Sequence, residues 1–142
     1  MGRYKDKIAL ITGSTMGIGF GIAKRMAQEG ATVIITSRKQ DNVDSAVSQL
    51  RELNLDAVGF PCDVGDKESR AALYNFVKEK YGRVNIFVAN AGLNTHYGNV
   101  FTITEEQYDW VFNVNVRSVF FMIKEFLPLM IDQKGKVEKS YF

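Results

Sequence analysis

Four short apolar runs alternate with segments of helical periodicity along most of the 142 residues, and that alternation constrains the fold more than any other feature. Ile8 to Thr12 is short, apolar and closed by a glycine, which reads as a buried strand. Thr32 to Thr36 is rich in β-branched side chains, Ala57 to Phe60 is stopped by Pro61, and Val84 to Ala89 ends in Asn90-Ala91-Gly92. Between these runs, Ile22, Ala23, Met26 and Ala27 recur at helical spacing from Ile18 to about Gln28, with Gly30 placed as a helix C′ residue. Asp41 is expected to cap a helix whose apolar face is Val43, Ala46, Val47, Leu50 and Leu53. Asp66 is expected to cap the next, with Leu73, Phe76 and Val77 facing inward. Thr104-Glu105-Glu106-Gln107 has the form of a capping box and opens the longest helix, expected to run to about Asp132. Strands separated by helices lie parallel with right-handed crossovers, so the class is α/β, a doubly wound open parallel sheet.

Composition narrows the function classes. A chain of this length holds one domain with a core of its own, and 46% hydrophobic with 24% charged residues is a globular balance. The net charge is +2 with both signs interspersed, which argues against a nucleic-acid or membrane partner. The apolar run Ile8 to Ile11 is too short for a signal-peptide core, Asp6 stands where a myristoylation signal needs Ser or Thr, and Ser140-Tyr141-Phe142 is no peroxisomal tripeptide. A cytoplasmic protein is expected. Cys62, the single cysteine, fits a reducing compartment and reads as a small buried hydrophobe. His96, the only histidine, reads as a loop residue, and no His/Cys/Asp cluster has metal-ligand spacing.

Thr12-Gly-Ser-Thr-Met-Gly-Ile-Gly19 sits where the first strand becomes a helix. The glycines permit a tight turn and close approach of a ligand to the backbone, and the unpaired N–H groups of the helix start suit a phosphate. Such a turn at the carboxyl edge of a parallel sheet is the context of a dinucleotide site, and the expected fold is Rossmann-like with strand order 3-2-1-4. The spacing Gly-x-x-x-Gly-x-Gly differs from the Gly-x-Gly-x-x-Gly of other dinucleotide folds. NAD-binding folds place a carboxylate roughly 20 residues beyond the glycines, at the end of the second strand. Here that place holds Ser37, followed by Arg38-Lys39, with no acid until Asp41. A carboxylate repels a 2′-phosphate, whereas a hydroxyl beside a guanidinium binds one, so the expected cofactor is NADP(H). Asp63, after the third strand, is placed to orient an adenine ring or else to serve as a turn carboxylate.

Thr12 to Gly19, Asp63-Val64, Asn90-Ala91-Gly92 and Asn115-Val116, in this order, resemble the motifs of the short-chain dehydrogenase/reductases, over about Lys5 to Lys136. Ser37 to Val43, and Asn94 with Gly98 leading into Thr104-Glu105-Glu106, resemble the NADP(H)-dependent carbonyl and retinal reductases of the dehydrogenase/reductase member 4 type. The resemblance implies that Gly13, Ser14, Gly17, Ile18 and Gly19 hold the cofactor phosphates, and that Ser37 and Arg38 hold the 2′-phosphate. It places Asp63 and Val64 at the adenine, and Asn90 and Gly92 along the path to the nicotinamide ribose. Asn115 matches the helix asparagine of the catalytic tetrad, with Asn113 as its rival, and the substrate is a small carbonyl or alcohol.

The resemblance also implies a catalytic serine and a Tyr-x-x-x-Lys pair after a fifth strand, the tyrosine passing the proton and the lysine lowering its pKa. In this sequence Tyr-x-x-x-Lys occurs only at Tyr74 and Lys78, ahead of the fourth strand, and is read there as ordinary helix surface. Residues 1–135 are therefore expected to form the NADP-binding half, incomplete on its C-terminal side, and residues 136–142 a divergent tail. The expected product is a truncated, inactive relative, or a binding fragment able to pair with relatives through the helix from Thr104. That helix carries Val116, Val119, Phe120, Ile123, Phe126, Leu127 and Met130 around much of its circumference, and the fourth strand is left to be an edge or to pair with the tail.

Overall fold

A computed structural model describes residues 2–131 and the backbone of residues 140–141. The elements run β1 (Ile8–Thr12), α1 (Gly17–Gln28), β2 (Thr32–Thr36), α2 (Gln40–Glu52), β3 (Ala57–Gly59), α3 (Lys67–Tyr81) and β4 (Ile86–Val88). A short 3-10 turn (Val100–Thr102), α4 (Glu105–Phe112), a π-helical turn (Asn113–Arg117), α5 (Ser118–Met130) and β5 (Ser140–Tyr141) complete the order. The strands form one sheet in the order β3-β2-β1-β4-β5, and every pairing is parallel. The expected 3-2-1-4 order is therefore present. The tail extends it, with Ser140 and Tyr141 in register with Phe87 and Val88 of β4.

Burial on both faces explains why the strands read as continuous apolar runs rather than alternating ones. All five residues of β1 are buried. Leu10 and Ile34 point to one face, packing with Leu73, Val77, Met122 and Phe126 of α3 and α5. Ala9, Ile11, Val33 and Ile35 point to the other, against Ala23 and Ala27 of α1 and Val43, Ala46 and Leu50 of α2. Each such fully buried Leu or Ile contributes about 1.5–3 kcal/mol of transfer free energy, so this sandwich, not helix propensity, fixes where the strand ends lie.

The helix boundaries follow local chemistry. Asp66 caps α3 by accepting from the Ser69 N–H at 2.8 Å, and Gly82 ends it in the left-handed region. Thr104 and Gln107 form the full capping box. Several expectations need correction. Asp41 lies in the first turn of α2, where it complements the helix dipole, while Lys39 is the N-cap and offers no side-chain bond. Leu53 lies past the last turn of α2 and is exposed. The helix from Thr104 is not continuous: the π-helical turn divides it, and α5 stops at Met130. The third and fourth strands are also shorter than read, because Phe60, Val84 and Ala89 lie outside the ladder. The tail residues 132–139 and 142 lie outside the described residues.

Candidate functional site

The carboxyl ends of β1, β2, β3 and β4 open on one edge of the sheet, and a groove of about 260 Å³ runs along it. Gly13, Ser37, Arg38, Asp63, Val64 and Gly92 all line it. Of the other residues assigned from sequence, Ser14, Gly19 and Asn90 lie beneath the wall, Gly17 and Ile18 are exposed next to the lining residue Met16 and do not themselves line the groove, and Asn115 supports it from the helix side.

The turn after β1 is built from the inside. Gly13 and Gly17 have φ of 60° and 58°, in the region that favours glycine. A Cβ on Gly13 would meet the Ala91 backbone, and one on Gly19 would be driven into Asn90 Nδ2 and the Gly13 carbonyl oxygen. Asn90 explains this crowding. Its Nδ2 donates to the carbonyls of Thr12 and Gly13 at 3.1 and 2.9 Å, clamping the end of β4 to the turn. Thr12 completes the clamp, its Oγ1 accepting from the N–H groups of Asn90 and Ala91, both at 3.0 Å. Ser14 is fully buried: its hydroxyl donates to the Ile11 carbonyl and accepts from the Thr36 N–H, and its own N–H donates to the Thr36 carbonyl. Its polar groups thus tie β1 to β2.

Gly17 differs from these residues. A Cβ there would meet nothing within 4 Å, so the glycine answers to backbone conformation and leaves open space at the mouth of α1. Met16 is the N-cap and supplies no side-chain bond, and the first helical bond runs from Phe20 N–H to the Met16 carbonyl. The amides of Gly17, Ile18 and Gly19 precede it and carry the positive end of the helix dipole, an arrangement that suits an anion. Met16 and Ile18 flank it as exposed apolar side chains, 71% and 78% accessible.

On the opposite side, the exposed Arg38 makes no hydrogen bond or ion pair with any described residue. Ser37 presents its side chain to the groove while its carbonyl accepts from the Cys62 N–H at 2.9 Å. Asn42, one helical turn beyond Arg38, joins the lining. Asp63 accepts from the Gly65 N–H through Oδ1 at 2.9 Å, and its other oxygen has no partner among the described residues. The turn-carboxylate reading and the ligand reading thus use different oxygens. Cys62 is buried beside it, and burial pushes its thiol up to about 11, which suits a packed hydrophobe and not a nucleophile.

The π-helical turn sets the floor. Asn115 Nδ2 donates to the Leu93 carbonyl and its Oδ1 accepts from the Leu93 N–H, both at 2.8 Å, so it pins the segment after Gly92. Asn113 turns to the loop after β3, donating to the Gly65 carbonyl at 3.3 Å. The two asparagines therefore serve different strand ends, and Asn115 is the one beside Gly92 and Leu93. Ser118 back-bonds to the Val114 carbonyl across the turn. Tyr74 and Lys78 lie on α3, where Lys78 is exposed as read while Tyr74 is half-buried edge-on against Phe126. The hydroxyl of Thr12 and the guanidinium of Arg70, which grips the Val64 carbonyl, were not assigned from sequence. Thr12 carried a signal in its place at the glycine turn; Arg70 carried none.

This geometry is that of a Rossmann-like doubly wound sheet, and the short chain dehydrogenase family model matches residues 7–137. The chain belongs to the short-chain dehydrogenase family. It is 42% identical over 130 residues to dehydrogenase/reductase SDR family member 4 of Mus musculus, covering 92% of this chain and 47% of that relative. It is 40% identical over 136 residues to human dehydrogenase/reductase SDR family member 2, mitochondrial, covering 96% and 49%. The chain thus spans about half the length of the curated relatives it matches. Among solved structures it is similar to LigD in the apo form from Sphingobium sp. strain SYK-6, with TM-score 0.84 and 31% identity over 89% of this chain and 54% of that one. It is also similar to a metagenomic short-chain oxidoreductase in complex with NADP, with TM-score 0.83 and 26% identity over 89% and 57%. No helix among the described residues is long and apolar enough to cross a membrane.

Proposed function

We propose that the groove binds NADP(H), and that residues 1–135 are the nucleotide-binding half of an oxidoreductase acting on carbonyls and alcohols. The observation that carries the reading is Arg38: an exposed guanidinium at the end of β2, without an acidic partner among the described residues, on the wall of a groove that also holds Ser37 and Asp63. A 2′-phosphate satisfies it with paired, charge-assisted bonds, and no carboxylate stands at the end of β2, where Ser37, Arg38 and Lys39 follow the strand. The uncapped start of α1, with the open space at Gly17, suits the pyrophosphate, and the free oxygen of Asp63 suits the 6-amino group of adenine. The chemistry that a nicotinamide cofactor bound there would supply is hydride transfer, to a ketone or aldehyde or from an alcohol. This chain's residues bind and orient it, with Asn90 and Asn115 keeping the strand ends beside Gly92 in place.

Titrating dihydronicotinamide fluorescence with NADPH and NADH tests the reading. Saturable binding with a preference for NADPH is expected, and no spectral shift with either up to millimolar concentrations overturns it. No Tyr-x-x-x-Lys pair faces the groove among the described residues, and the 142-residue chain is expected to turn over no dicarbonyl, quinone or retinal with NADPH. Measurable turnover would reverse that part of the proposal. A cytoplasmic location belongs to the same reading, and imaging of the tagged chain tests it against the mitochondrial name of one relative.

A second reading, a non-catalytic NADP(H)-binding fragment that pairs with a second copy or a full-length relative, is favoured by one observation. Tyr108, Phe112, Val116 and Phe120, spaced four apart along α4, the π-helical turn and α5, are each 46–63% exposed. Sedimentation across a concentration series tests it; a monomer at every concentration, with no heterodimer on mixing, removes it.

A further inference from the structure

We propose that Arg70 is a positioning residue for the adenine-side wall of the groove, acting through the Val64 carbonyl with Glu125 as its anchor. The inference rests on the NADP(H) reading above. Arg70 sits on α3 one turn after the Asp66 cap and is only 1% exposed, the largest fully buried side chain among the described residues. Its donors are divided between two elements. Nη1 donates to the Val64 carbonyl at 2.9 Å, while Nε and Nη2 grip the Glu125 carboxylate of α5 at 2.9 and 3.2 Å. The Phe121 ring lies 5.5 Å from the guanidinium.

Stability alone does not account for this arrangement. Burying an arginine carries a desolvation cost that its ion pair offsets at best, and an apolar side chain would fill the α3–α5 contact as well, as Leu73 and Val77 do further along α3. What the guanidinium adds is a hold on a carbonyl in a segment that belongs to no strand or helix. Residues 62–66 are otherwise kept by the Cys62 N–H on the Ser37 carbonyl, the Asp63 N–H on Ser69 Oγ, the Gly65 N–H on Asp63 Oδ1, the Asp66 N–H on the Asp63 carbonyl, Asn113 Nδ2 on the Gly65 carbonyl and the Ser69 N–H on the Asp66 carboxylate. None of these falls on Val64, whose carbonyl is held by Arg70. A rigid fork anchored to a second helix fixes the height of the Val64 peptide, and with it the direction of the free Asp63 oxygen.

The test is a ratio, which loss of stability does not move. The full 142-residue chain is titrated with NADPH and with its hypoxanthine analogue, in which an oxo group replaces the 6-amino group of adenine. The unmodified chain is expected to prefer NADPH about tenfold or more, the worth of one hydrogen bond to a carboxylate oxygen. In Arg70→Lys the ammonium cannot span both partners, and the preference is expected to fall below about twofold while the NADPH spectral shift persists. Glu125→Gln loosens only the anchor, at a part-exposed position, and is expected to give an intermediate ratio. An unchanged ratio in Arg70→Lys, with either equal or reduced affinity for both nucleotides, overturns the proposal and leaves Arg70 a structural residue. If Arg70→Lys does not fold by circular dichroism, Glu125→Gln decides, and its ratio matching the unmodified chain overturns the proposal. An unmodified chain that binds both equally removes the adenine wall itself, and one that binds neither removes the NADP(H) reading.

Discussion

The two sides of the groove use their polar groups in opposite ways. On the β1–β4 side, Thr12, Ser14 and Asn90 are bonded to backbone within the protein. On the β2–β3 side, Arg38 and one oxygen of Asp63 have no partner among the described residues. One side is a frame that presents backbone in a fixed shape. The other offers side chains to whatever enters. Residues that share one ligand-binding motif in sequence therefore divide into those that make the cavity and those free to contact its guest, and substitutions on the two sides should fail differently.

The largest effect is expected in the frame. Gly19→Ala forces a Cβ against Asn90 and Gly13 and should cost about 3 kcal/mol of stability, read as a lowered denaturation midpoint. Gly17→Ala, in open space, should cost only the left-handed strain of about 1–2 kcal/mol. Equal losses at both positions would erase the distinction. Next comes the free side. Arg38→Asp should leave the melting curve nearly unchanged yet weaken NADPH about tenfold to a hundredfold, with little change for NADH. A comparable loss for both nucleotides would mean that Arg38 does not hold a 2′-phosphate.

Smaller effects sharpen the floor. Asn115→Ala removes two bonds of 2.8 Å and should destabilise by about 1–2 kcal/mol, whereas Asn113→Ala, which gives up a longer one, should cost less than about 1 kcal/mol. Chemical denaturation ranks them, and the reverse order would contradict the assignment of Asn115 to the Leu93 segment. Smallest at neutral pH is Cys62. Its thiol is protonated in both folded and unfolded chains near pH 7, but burial holds the folded value near 11 against an ordinary 9.0. Between those values the unfolded chain releases its proton first, so stability should decline as pH rises from 9 to 11. Comparison with Cys62→Ala over that range should show the decline lessened in the variant.

Much of the architecture was legible because it rests on local patterns: buried runs for strands, helical spacing in α1 and α3, and short polar caps at Asp66 and Thr104. The groove lining was legible where a residue's place at a strand end decides its exposure, as for Ser37, Arg38 and Asp63. What escaped the sequence is tertiary. The π-helical turn is made by Asn113 and Asn115 reaching to loops 48 and 22 residues away and by Ser118 bonding backwards, none of which shifts the apolar spacing. Ser14 is assigned to the cofactor phosphates by resemblance, and its bonds to the Ile11 and Thr36 backbone come into view only once β2 is laid beside it. Arg70 reads as one more charged position on an amphipathic helix, because its partners Val64 and Glu125 come together only in the fold.

The π-helical turn also sets the phase of everything after it. A regular helix advances about 100° per residue and a π-helical turn less, so the five residues Asn113–Arg117 cover about the angle of four regular ones, and winding them as regular helix at constant length would rotate all of α5 by roughly one residue's angle. Met122 and Phe126 would leave the sheet face, and the preceding positions Phe121 and Glu125 would turn toward it. Single substitutions in the segment adjust a contact, whereas straightening the turn changes the phase of thirteen residues at once. A deletion of one residue that restores regular winding should therefore keep Met122 and Phe126 on the sheet.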